Sequence, residues 1–242
     1  CAADESLYYV ADNQVFRAGQ SAAVFRAEDI SYTASADEIL DQPDIKHANG
    51  GRIISISDCA ERIKESGSVS FDNFTLAGVA ADNNSDDVYA IVWSKLENYS
   101  FVDNLYMVAA YDVSAPDKPL AVFFDSGTSD TEAALPNGEI VLKSGDYIYY
   151  ATGYDSVRQS SWSPEILCWD VANTHITSLY DGYLKSGIYS IGVFNNSIWC
   201  MAGDSDATLW NMNTNQSYDL DDVGFAPAGT WQNNFYFWNS KE

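Results

Sequence analysis

Residues 104–120, NLYMVAAYDVSAPDKPL, decide the fold. An apolar strand-like run ends in Tyr111-Asp112-Val113, a polar turn follows, and a second apolar run begins at Leu120. The same grammar recurs at 165–171 (EILCWDV, ending in Trp169-Asp170-Val171) and at 207–212 (ATLWNM, ending in Trp210-Asn211-Met212). Each copy is preceded by another strand-like run: DVYAIVW at 87–93, DYIYYATG at 146–153 and NSIWCMAG at 196–203. A supersecondary unit repeated at a spacing of about 40–60 residues cannot bury its apolar faces alone, so the chain builds its core by stacking copies.

Working outward, one unit runs over 74–124, the next over 139–180 and a shorter one over 188–220. A fourth begins at Val223 with GTWQN and NFYFWN. Four short strands per unit, joined by Gly, Asn and Asp turns, match the blade of a β-propeller. The N-terminal third, residues 1–73, is less regular. SLYYVADNQVFRA reads as a hairpin with Asp12 and Asn13 at its turn, and AAVFRAEDISYTA supplies one or two more strands. Ser35-Ala36-Asp37-Glu38 has the form of a capping box, with Pro43 as the stop. Asp58 reads as the acidic cap of a second short helix that Gly67 closes. The expectation is one all-β domain over 1–242, a β-propeller-like array of four-stranded blades with two short helical inserts near the N-terminus. Residues 6–30 are expected to supply outer strands to the last unit and close a ring of about five blades; the alternative is a fragment of a larger propeller.

The Trp169-Asp170 step resembles the strand end of WD-type propellers, and residues 111–119 (YDVSAPDKP) resemble the Tyr-Asp-Val-Ser-x-Pro repeats of bacterial extracellular propellers. The resemblance spans about residues 74–238 and departs from WD repeats in lacking their Gly-His pair, since neither His47 nor His175 follows a glycine. It implies a propeller-like fold with a secreted binding or scaffolding role, and it transfers no catalytic residue.

Twelve Lys plus Arg against 35 Asp plus Glu give a formal charge of -23. Such a surface repels phosphate backbones and anionic membranes, which excludes nucleic acid as a partner and fits a protein of the cell surface or extracellular space. No apolar run approaches the ~20 residues of a membrane span. Cys168 and Cys200 sit inside strand-like runs as small hydrophobes, and with two histidines and no CxxC pair a zinc site has no ligand set. Cys1, the first residue, is where a lipid would attach if the chain is a mature bacterial lipoprotein.

Candidate ligand contacts lie in the segments joining the second and third strands of each unit, which share one face of a propeller. Residues 94–104, 153–164 and 202–207 place Tyr99, Phe101, Tyr154, Arg158 and Trp162 beside Asp204 and Asp206. Aromatic rings stack on the apolar face of a pyranose while charged and amide groups take its hydroxyls, so carbohydrate or an extracellular protein is the expected partner. Asp82, Asn84 and Asp86 have the alternating oxygens of a calcium loop, but Asp87 replaces its glycine and Trp93 its bidentate glutamate. An EF-hand is therefore excluded, and calcium at a looser site is the one cofactor considered. No nucleophile elbow or phosphate loop is present in the sequence. The leading expectation is a non-catalytic binding scaffold. A glycan hydrolase with a carboxylate pair in a central funnel and a purely structural domain of a larger assembly are the alternatives.

Overall fold

The computed structural model describes residues 2–3, 6–42, 56–82, 85, 87–96, 104–127, 135–152, 166–179, 188–194, 197–202, 208–214, 216–220, 225–231 and 234–239. The protein is mostly β, built from small antiparallel sheets, none of them closed. The first sheet holds β1 (Ala2–Ala3), β2 (Ser6–Ala11), β3 (Gln14–Arg17) and β4 (Ala23–Arg26) in that order. Next comes the pair β5 (Tyr32–Ser35) and β6 (Ser68–Phe71), which brackets α1 (Ala36–Leu40) and α2 (Ala60–Ser66).

Three complete units follow, each a meander of four strands in chain order. The first has β7 (Thr75–Ala81), β8 (Val88–Leu96), β9 (Asn104–Asp112) and β10 (Ala121–Gly127). The second has β11 (Pro136–Ser144), β12 (Tyr147–Thr152), β13 (Ile166–Asp170) and β14 (His175–Ser178). The third has β15 (Ile188–Phe194), β16 (Ser197–Ala202), β17 (Thr208–Asn211) and β18 (Gln216–Asp219). The chain closes with the pair β19 (Phe225–Trp231) and β20 (Asn234–Asn239).

Strand alternation explains the stacking. Successive side chains point to opposite faces, and here both faces are apolar. On one face of β8–β10, Val88, Ala90, Val92, Met107, Ala109 and Phe124 join a core with Val15 and Phe25 of the first sheet. On the other, Ile91, Tyr106, Val108 and Phe123 pack with Ile148, Tyr150, Leu167 and Trp169 of the second unit. The second unit repeats the device, sending Leu142, Ala151 and Ile166 toward Ile191, Ile198 and Cys200 of the third. The first strands β7, β11, β15 and β19 lie next to one another in series. Cys168 and Cys200 are free thiols on different sheets.

The helices belong to the same core as the sheets. Ser35 Oγ accepts the Glu38 amide at 3.1 Å, as the capping pattern requires. Glu38 then accepts the Tyr32 hydroxyl at 2.5 Å instead of returning to the cap. Ile39 and Ile63 are fully buried in the first core, each worth about 1.5–3 kcal/mol of burial. Gly67, at φ 70, ends α2 as expected. Asp58 is not its cap: the cap position is Cys59, with no side-chain bond. Asp58 falls instead in a 3-10 turn, Ile56–Cys59, whose Ile56 is buried, so the α-helix starts beyond it.

The N-terminal strands also differ from expectation. Residues 6–30 pair among themselves and with Ala2–Ala3, while β19 pairs with β20. The reason lies at the β2–β3 turn, where Asp12 and Asn13 take positive φ, as a two-residue hairpin demands. Asn13 Nδ2 donates to the Phe74 carbonyl at 2.8 Å and Asn13 Oδ1 accepts the Leu76 amide at 2.5 Å. That pair of bonds fastens the first sheet to the start of the 74–124 unit.

Candidate functional site

The three aromatic-acid-aliphatic steps are one structure built three times. Asp112 Oδ1 accepts the Ser114 amide at 2.8 Å and its hydroxyl at 2.7 Å. Asp170 Oδ1 accepts the amides of Ala172 and Asn173, both at 3.1 Å. Asn211 Oδ1 accepts those of Asn213 and Thr214 at 2.9 and 3.0 Å. Each is a turn closed by its own side chain. The aliphatic residue of each step donates its amide across to the start of the second strand: Val113 to Val88, Val171 to Asp146 and Met212 to Ile198, at 2.8–2.9 Å. Opposite each acid or amide stands an aromatic of that second strand, Tyr89, Tyr147 or Trp199.

The aromatic of each step faces the preceding sheet. Tyr111 lies against Phe25, with ring centroids 5.8 Å apart. Trp169 meets Phe123 edge-on at 4.9 Å and is fully buried. Trp210 packs into the core shared by the second and third units. Burial pushes the Tyr111 phenol up to about 12. Hydrogen bonds from the Asn173 side chain, then from backbone amides, hold the Asp170 carboxyl below the usual range.

Two cavities open along the seam between the first sheet and the turns of the 74–124 unit. The larger, about 570 Å³, has β4 on one side and Tyr111, Pro116 and Asp117 on the other. The smaller, about 250 Å³, holds Tyr8 and Arg17 opposite Asp87 and Asp112, and Val24 borders both. The larger volume is that of a small-ligand pocket.

Asp82 is the one proposed calcium ligand among the described residues; Asn84 and Asp86 lie outside them. Its carboxylate is already matched. Lys143 Nζ lies 2.9 Å from Asp82 Oδ2, and the Gly145 amide reaches Oδ1 at 3.4 Å. Lys143 also donates to the Gly145 carbonyl and sits 4.5 Å from the Tyr89 ring centroid. Asp82 and Lys143 form a parallel bridge, so this buried pair joins the first unit to the second. Among the described residues no group of three His, Cys, Asp or Glu side chains could hold a metal ion.

The other residues singled out from sequence, Tyr99, Phe101, Tyr154, Arg158, Trp162, Asp204, Asp206 and Cys1, lie outside the described residues. Sequence reading missed Lys143, Arg17 and the β4 cavity. A lysine inside an apolar run, EIVLKSG, was the one available signal, since a strand core admits an ammonium only beside a buried partner.

No helix among the described residues is long and apolar enough to cross a membrane. No family model matches the chain, and no curated protein matches it. Among solved structures it is similar to one described as the crystal structure of the computationally designed Ika4 protein, at 14% identity and a TM-score of 0.33, covering 68% of this chain and 91% of that one. So low a TM-score carries no argument about fold or function.

Proposed function

We propose that the chain is a propeller-type, non-catalytic binding scaffold acting outside the cell, which takes carbohydrate through the connections between the second and third strands of its units. The observation that carries this reading is the shared register of the three complete units. In each, the step fixes the end of the third strand by the same side-chain turn and the same cross-strand bond. The connections 97–103, 153–165 and 203–207 leave from the other end of those third strands. Neighbouring first strands and cores shared between consecutive units support the propeller geometry, which gathers those connections on one face. Connections on a rigid scaffold are where proteins place recognition. The residues carried there include Tyr99, Phe101, Tyr154, Arg158 and Trp162, with Asp204 and Asp206.

A glycan array probed with the labelled protein tests the reading, with Tyr99→Ala and Trp162→Ala beside the wild type. The expected result is retention of a restricted glycan set and its loss in both variants with the fold intact by circular dichroism. Binding that is absent, or unchanged in both variants, rejects the loop-end assignment.

A further inference from the structure

We propose that the groove between β4 and the turn after β9 binds an extended, lysine- or arginine-containing peptide, which adds to β4 as a further strand. β4 ends the order β1-β2-β3-β4, so its outer edge has no strand partner among the described residues. The Ala27 amide donates to the Asn13 carbonyl at 3.2 Å. Antiparallel alternation then turns the N–H and C=O of Arg26, one residue back, away from β3. An open edge of this kind is a template for strand addition, with affinity from main-chain bonds and selectivity from pockets for alternate side chains.

The larger cavity lies directly beside that edge. Its apolar walls include Phe25, Ile30, Tyr111 and Pro116, which suit the stem of a long side chain. Its charges choose the head group. The Arg26 guanidinium is matched by Glu28 at 3.2 Å, whereas neither Asp29 nor Asp117 has a partner among the described residues. Tyr111 is 2% exposed, and its hydroxyl has no hydrogen-bond partner among the described residues. Two unmatched carboxylates and a phenol beside an apolar slot accept an ammonium or guanidinium. The surrounding charge of -23 draws such a peptide in. Val24 borders both seam cavities, so the smaller one is positioned for another side chain of the same strand.

This site lies at the opposite end of the 74–124 unit from the 97–103 connection and does not rest on the carbohydrate reading. Titration calorimetry is run with a set of end-capped heptapeptides bearing a central lysine and valine, threonine or phenylalanine at alternate positions. Each has one twin with glutamate for lysine and one N-methylated on alternate amides. Both twins are expected to bind at least tenfold more weakly. The double variant Asp29→Asn/Asp117→Asn should raise Kd at least tenfold. Glu61→Gln/Glu65→Gln, which removes the same charge from the exposed face of α2, should change it less than twofold. Hydrogen exchange at the Arg26 amide should slow in the complex. Absence of binding, equal weakening by both double variants, or indifference to N-methylation overturns the proposal. Trp162→Ala should leave peptide binding unchanged, which separates this test from that of the loop end.

Discussion

Replacing Lys143 with Met keeps the length of the side chain and deletes its charge, leaving Asp82 buried with the Gly145 amide 3.4 Å away. The two side chains are 5% and 8% exposed and 2.9 Å apart. At an effective dielectric of about 20, that separation gives a gross attraction of about 6 kcal/mol. Desolvation of both ions cancels much of it, so the pair contributes little net, but losing the ammonium leaves the buried Asp82 carboxylate without the Lys143 charge. The expected cost of Lys143→Met is therefore about 3–5 kcal/mol. Part of it is the lost contact with the Tyr89 ring, worth about 0.5–2 kcal/mol. The double variant Lys143→Met/Asp82→Leu removes both charges and should return to within about 1 kcal/mol of wild type. Equilibrium urea unfolding followed by tryptophan fluorescence reads all four corners of the cycle. A single-variant cost below about 1 kcal/mol refutes the reasoning, because the pair then behaves as a solvated surface bridge. The same assay in calcium and in EDTA checks the other role considered for Asp82. The wild-type midpoint should be the same in both, and a calcium-dependent rise would mean that a metal competes with Lys143.

Trp169→Ala should cost about 3–5 kcal/mol, because the ring is fully buried between two units. Trp169→Phe should cost less, since it keeps an edge toward Phe123 and removes the indole N–H, which has no partner among the described residues. Asn13→Gly preserves the positive φ of 63 but deletes the bonds to Phe74 and Leu76. It should destabilise by about 1–3 kcal/mol in urea unfolding, and a neutral result would show that the first sheet is fastened elsewhere. The Asp170 carboxyl should titrate below the ordinary aspartate range in an NMR pH series, and Asn173→Ala should move it upward. Its folded value is depressed, so the stabilisation it gives is present above the unfolded value of about 3.9 and is lost as pH falls through the folded one. An unchanged titration in Asn173→Ala refutes the assignment to Asn173.

The unit boundaries were legible because local chemistry sets them. The third strand of each complete unit ends in Asp112, Asp170 or Asn211, and the turn that follows forms on that residue's own side chain. Asp112, Asp170 and Asn211 could therefore be assigned from sequence as turn formers, and Ser35 as a cap. What was not legible depends on partners distant in the chain. Lys143 and Asp82 are 61 residues apart, and nothing near either one announces the other. In the sequence Asp82 read as one of the alternating oxygens of a calcium-type loop. Asp58 misled for a related reason: it lies inside a 3-10 turn whose Ile56 is buried in the core, and the helix cap falls one residue later at Cys59. The β4 cavity needs two sheets to exist, so Arg26, Asp29 and Asp117 carried no sequence signal.

The steps also explain how a chain of small sheets holds together. A four-stranded repeat with two apolar faces cannot bury both alone, and its stability comes from what covers them. In each complete unit the residue that closes the turn is covalently next to the aromatic that enters the preceding sheet: Asp112 beside Tyr111, Asp170 beside Trp169, Asn211 beside Trp210. Fixing the turn therefore limits the freedom of the ring before it packs, which lowers the entropy cost of docking one unit on the next. The first sheet has no copy of the step. Asn13 adds a different device, a turn amide whose oxygen takes the Leu76 amide of β7 and whose nitrogen reaches the Phe74 carbonyl just before it. The seam it makes with the next unit is also where the larger cavity opens, between Phe25 on the first-sheet side and Tyr111, Pro116 and Asp117 on the other. The junction that adds a polar clamp to its aromatic step is thus also one with room for a ligand.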